Sequence, residues 1–189
     1  MRNILNDHKK YPIIINNSDI FDISKERISL SNNSRSVLIP NLCSNRDIFT
    51  SSFNKDIENT YPEVKDNYHL LGSPFLKKNL GYTQFININT KHSYQNKNKI
   101  IFANMIAQDD FKPSKKRTIN YGALAICMYK IKNYILANSD DQTIIEIHTP
   151  KFGSGVANWV FIQELIEDIW CKHFLVFIHN THNSHIKHS

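Results

Sequence analysis

A chain of 189 residues, 41% hydrophobic and 21% charged, has the length of one domain and enough apolar mass for a core, which excludes a disordered polyelectrolyte. Its formal net charge of +6 suits a phosphate-bearing ligand or nucleic acid. Apolar runs such as Ile100 to Ala103 and Phe174 to Ile178 fall far short of the ~20 residues that span a bilayer. No secretory apolar core follows Met1, so a cytoplasmic protein without a membrane partner is expected. Three widely spaced cysteines, Cys43, Cys127 and Cys171, offer neither a disulfide framework nor a metal site. Cys127 reads as core packing.

In chain order, residues 1–10 read as a flexible start. Tyr11 to Ile15 is a short β-branched run of strand type. Polar residues at Ser24 to Arg27 and Ser31 to Ser36 mark a loop. Val37 to Pro40 is a buried strand, with Pro40 at its end or at a bulge. Phe49, Phe53 and Ile57 share one helical face. Pro62 ends that helix and starts a second towards Leu71. Gly81 to Ile88 alternates as a half-exposed strand, Lys91 to Lys99 is a polar turn, and Ile100 to Ile106 is the next strand.

A basic loop over Asp109 to Thr118 precedes Asn120, a candidate N-cap. Leu124, Cys127, Met128, Ile131 and Ile135 then repeat at helical spacing. Ile144 to His148 is a strand, Asn158 to Trp170 an amphipathic helix, and Phe174 to Ile178 the last strand. The order predicts an α/β protein: a three-layer α/β/α sandwich on a mixed sheet of about six strands, with parallel crossovers in the second half. The domain spans 11–179. A polar tail over 180–189 follows. His179, His182, His185 and His188 recur every third residue, a pattern shared by metal-binding tracts and polar chain ends.

The most informative segment runs from Glu146 to Trp159. A strand ends at Thr149, Gly153-Ser154-Gly155 forms a tight loop, and a helix begins near Asn158. Glycines let a ligand approach the backbone, and a helix N-terminus adds free N–H groups. The result is an anion site suited to a diphosphate, or simply a structural turn.

The run Pro150-Lys151-Phe152-Gly153-Ser154-Gly155-Val156-Ala157, followed by Asn158-Trp159, resembles the second ligand loop of macro domains. Ile101 to Gln108 and Asn120 to Leu124 are similar to that family's central strand and helix start. Tyr61 to Tyr68, Leu71-Gly72 and Leu80-Gly81 resemble its helix-to-strand region. The likeness covers roughly residues 12 to 179. It is nearest to phage-encoded, ADP-ribose-1''-phosphate-processing types, which would place the protein in a host cytoplasm.

The resemblance implies a ligand, ADP-ribose or a derivative, in a cleft at the carboxyl ends of the strands. It implies no cofactor and no metal. Asp19 with the Ile20 backbone would take the adenine; an Asx-turn is the alternative for Asp19. Ser44-Asn45 would meet the terminal ribose, or cap a turn. Ser51 and Ser52 stand in the first ligand loop, and Gly153, Ser154, Gly155, Val156 and Ala157 in the second. The chain departs from the family in three ways. No glycine occurs from Asn45 to Phe53, two glycines are missing after Ala157, and Val156-Ala157-Asn158 holds no carboxylate.

Hydrolysis of ADP-ribose-1''-phosphate or of an ADP-ribosylated macromolecule is the alternative, with Asn45 holding water and Asp47 as base. A nucleic-acid-binding or structural role on the same scaffold is a third reading, suggested by the charge.

Overall fold

The computed structural model describes residues 11–29, 34–88, 98–110, 119–139, 143–152 and 157–180. Its elements are β1 (Ile13–Asn16), α1 (Ile20–Ser29), β2 (Ser34–Ser44), α2 (Ser52–Thr60), α3 (Pro62–Leu70), α4 (Ser73–Lys78), β3 (Thr83–Ile88), β4 (Ile100–Gln108), α5 (Tyr121–Asn138), β5 (Thr143–Pro150), α6 (Trp159–Ile169) and β6 (Val176–His179). The strands form one six-stranded sheet in the order β1-β6-β5-β2-β4-β3. β3 alone runs antiparallel to its neighbour. This is the mixed α/β/α sandwich that the element order predicted.

Alternation along the strands sends residues to two cores. Leu38, Ile101, Met105, Ile147, Val176 and Ile178 pack against the buried stripes of α5 and α6. Trp170 is fully buried there and donates Nε1–H to the Met128 carbonyl at 3.0 Å. Cys127 is also buried, and burial pushes its thiol up to about 11. On the other face Val37, Ile39, Phe102 and Ile106 meet Phe21, Phe53, Ile57 and Val64.

That second face also carries an amide row. The sheet register sets Asn41 beside Asn104 and Asn104 beside Gln84. Asn41 Nδ2 donates to Asn104 Oδ1 at 3.0 Å, and Asn104 Nδ2 to Gln84 Oε1 at 3.1 Å. Three buried or half-buried amides thus satisfy one another across three strands, as burial requires.

Three expectations are corrected. Ser24 to Arg27 lie within α1, not a loop, and Ser34 to Ser36 already belong to β2. β2 continues through Pro40 to Ser44. Its pairing with β5 ends at Leu38, while pairing with β4 runs on and shifts register only between Cys43 and Ser44. A proline that cannot donate is tolerated where one side of the strand has lost its partner. The last strand does not stop at Ile178: His179 belongs to β6 and is buried. The short helix α4 was not anticipated. Residues 1–10 and 181–189, with His182, His185 and His188, and most of the Asp109 to Thr118 loop lie outside the described residues.

Candidate functional site

Because β1, β6, β5, β2 and β4 are parallel, their carboxyl ends share one pole. The helices that follow β1, β2, β4 and β5 all start there. Each first turn presents unpaired amides and partial positive charge. The sequence supplies a side-chain cap at each start. Asp19 Oδ1 accepts from the amides of Phe21 (2.8 Å) and Asp22 (3.1 Å). Ser51 Oγ accepts from Asn54 (3.0 Å), Asn120 Oδ1 from Ala123 (3.0 Å) and Asn158 Oδ1 from Phe161 (3.4 Å).

Asp19 therefore does what an Asx cap does. Both its bonds fall on Oδ1, and Oδ2 makes no hydrogen bond among the described residues. Ile20 is buried in the core under α1, and its amide stands first in that helix. Ser51 and Ser52 are exposed at the start of α2, with the Ser51 hydroxyl already accepting a bond.

Ser44 ends β2, Asn45 follows it, and both are almost fully buried. Ser44 Oγ donates to Asp110 Oδ2 at 2.5 Å and accepts from the Arg46 amide at 2.9 Å. Asn45 Nδ2 donates to Asp109 Oδ1, and Asn45 Oδ1 accepts from the Asp110 amide, both at 3.0 Å. These bonds tie the end of β2 to the end of β4. Tyr68 finishes the arrangement: its hydroxyl donates to the Ser44 carbonyl (2.9 Å) and accepts from the Ile48 amide (3.2 Å). Asp47 faces α3 instead. Its Oδ1 lies 2.6 Å from His69 Nδ1, and Ser73 Oγ is 3.4 Å from Oδ2.

Of the second loop, Ala157 is described and half-buried, whereas Gly153, Ser154, Gly155 and Val156 lie outside the described residues. The ends of that loop are braced. Lys151 Nζ sits 5.2 Å above the Trp159 ring, and the Asn158 amide donates to Tyr121 Oη at 2.8 Å.

Under α1 lies a buried ionisable row. Glu146, His148 and His179 are at most 2% exposed. Arg35 donates to Glu146 Oε1 at 2.7 Å, and Arg27 Nε is 3.9 Å from Oε2. His148 Nε2 is 3.4 Å from Glu146 Oε2, His148 Nδ1 is 3.1 Å from His179 Nε2, and His179 Nδ1 is 3.0 Å from the Ser18 carbonyl. The His148 ring stacks on Phe177, and Arg27 covers the same Phe177. Burial raises Glu146, but the His148 contact and both guanidiniums outweigh it and hold the carboxyl below its usual range. Burial lowers both imidazoles despite the bonds that favour their cations.

Sequence reasoning missed Tyr68, His69 and this row. The legible signal for the row was Glu146 and His148 two apart in an otherwise apolar strand, which puts both on one buried face. A cavity of about 280 Å³ between Ser36, Lys99, Tyr134 and Asn138 opens at the opposite pole. Among the described residues no cluster suits a metal, and no helix is long and apolar enough to cross a membrane.

These features define an α/β fold with its polar loops gathered at the carboxyl ends of a mixed sheet. No family model and no curated protein matches the sequence. Solved structures do match its fold. A protein of unknown function from Bacteroides thetaiotaomicron superimposes with a TM-score of 0.70 at 18% identity, over 90% of this chain and 99% of that one. A macrodomain protein from Streptomyces coelicolor gives 0.63 at 16% identity, with the same coverage. Thermosipho africanus DarTG, solved in complex with ADP-ribose, gives 0.55 at 11% identity, over 75% of this chain and 37% of that one. The chain has the macrodomain fold.

Proposed function

We propose that the protein binds ADP-ribose or a close derivative across the carboxyl ends of its strands. The purine lies at Asp19 and Ile20, the diphosphate against Gly153, Ser154, Gly155, Val156 and Ala157, and the terminal ribose towards Ser44, Asn45, Ser51 and Ser52. The observation that carries this reading is Asp19. Its Oδ1 is used in capping α1 and its Oδ2 makes no bond among the described residues, so one carboxylate can brace the turn and accept a base amino group together. Helix starts at the same pole favour an anion. A structure of the same fold has been solved with ADP-ribose.

Asp19→Asn tests it, because an amide oxygen still caps α1 while the charge is lost. Thermal stability should stay within about 0.5 kcal/mol of wild type, and calorimetric affinity for ADP-ribose should fall about tenfold, ~1.4 kcal/mol. Wild-type protein that binds no ADP-ribose at millimolar concentration would end this reading.

A second reading, hydrolysis of ADP-ribose-1''-phosphate or of an ADP-ribosylated macromolecule, is favoured by the 2.6 Å contact of Asp47 with His69. There Asp47 orients the imidazole, His69 acts as the base on a water held near Asn45, and Asp47 is no longer the base itself. Phosphate release that survives His69→Gln unchanged would remove His69 from that role.

A further inference from the structure

The row under α1 ends on the backbone of the β1–α1 turn, and its hydrogens can be counted. Three contacts join Glu146, His148, His179 and the Ser18 carbonyl, at 3.4, 3.1 and 3.0 Å in that order. Each needs one hydrogen, and two neutral imidazoles bring two. A carbonyl only accepts, so His179 must carry its hydrogen on Nδ1. His179 Nε2 is then an acceptor, and His148 must also carry its hydrogen on Nδ1. The contact left without a hydrogen is His148 Nε2 to Glu146 Oε2, the longest of the three, and it gains one only when His148 takes up a proton in acid, where it then stabilises the Glu146 carboxylate. The tautomer of each ring is thus set by what the other nitrogen meets.

The peptide joining Ser18 to Asp19 is planar. A bond to its oxygen fixes the plane from which Asp19 departs. The same strand end holds the turn twice more, by the Asn180 amide to the Asn16 carbonyl (3.1 Å) and by Asn180 Nδ2 to Asn17 Oδ1 (3.3 Å). Those bonds hold the residues before Ser18. The His179 bond is the one that reaches the peptide of Asp19 itself.

We propose that His179 is a positioning residue of the ligand site: its Nδ1–H, kept in that tautomer by His148, holds the Ser18 carbonyl and so presents the Asp19 carboxylate to the purine end of the ligand. This rests on the reading that Asp19 contacts the ligand. The turn geometry itself does not.

Two measurements on the full chain test it. In ligand-free protein at pH 7.5, long-range proton–nitrogen correlation of the imidazole rings should show His179 and His148 neutral with hydrogen on Nδ1. Hydrogen on Nε2 of His179 overturns the proposal. In His179→Leu, the amide signals of Phe21 and Asp22, which donate to Asp19 Oδ1, should move, and affinity for ADP-ribose should fall about tenfold with that for ribose-5-phosphate unchanged. His179→Asn, whose Nδ2 stands where Nδ1 did, should restore both to near wild type. If His179→Leu does not fold, the ring tautomers and the Asn variant still decide. Unmoved amides and unchanged affinity in His179→Leu refute the proposal. If the tautomers and amide shifts are as expected while wild-type protein binds no ADP-ribose, the ligand reading fails and the positioning of the turn stands.

Discussion

Against α5 and α6 the sheet presents Leu38, Ile101, Met105, Ile147 and Val176, all buried and all apolar. Under α1 the opposite side of β5 and β6 presents Glu146, His148 and His179, equally buried and all ionisable. Both faces exclude water, but they are stabilised differently. The apolar face gains from each area covered, and a conservative change there removes only its own share. On the polar face each group is tolerated because its neighbour satisfies it, so removing one leaves another exposed to the low dielectric without a partner.

Adjacent residues of β5 offer the largest contrast. Glu146→Leu leaves the part-buried guanidiniums of Arg35 and Arg27 without their carboxylate. A loss of about 3 kcal/mol in denaturant unfolding is expected, near the low end for a broken buried pair. Ile147→Val, one residue on and facing α5 and α6, should cost only about 1 kcal/mol. Equal losses would erase the distinction between the faces.

The amide row should give a smaller and partly reversible effect. Asn104→Val leaves Asn41 Nδ2 with only the weakly accepting Cys43 sulfur, takes a donor from Gln84 Oε1 and the Val64 carbonyl, and should cost about 2 kcal/mol. Adding Asn41→Val removes that poorly satisfied buried donor, and the half-buried Gln84 can turn to water, so the double variant should be more stable than the single one. A double variant that loses the sum of both single losses would mean that the row acts as independent bonds.

The pH dependence sharpens the comparison most finely. Burial holds His148 and His179 below the ordinary 6.5, so the folded protein declines protons that the unfolded chain accepts. Their contribution is full above pH 6.5 and is lost as pH falls from there towards the folded values. Glu146, held below 4.5, adds a further loss in stronger acid. Urea midpoints from pH 8 to pH 5 should therefore decline, and His148→Gln should decline less steeply. A variant with the same slope as wild type would show that the row is not what titrates.

Hydrophobic spacing by itself determined much of this protein. Leu124, Cys127, Met128, Ile131 and Ile135 of α5, and Ile162, Ile166 and Ile169 of α6, face an apolar sheet and so carry a clean helical period. The β-branched strands were equally legible, and with them the order of elements that the macrodomain fold requires. Tertiary structure decided what that period cannot encode. α1 buries only Ile20, Phe21 and Ser24, because part of the sheet beneath it is polar, and a helix over a polar floor needs no long apolar stripe. Pro40 sits inside β2 because pairing with β5 has already ended at Leu38, which depends on a strand more than 100 residues away. His179 holds a carbonyl across a sequence separation of 161 residues. Such contacts follow from which strands the fold sets side by side, and local propensity carries no record of that choice.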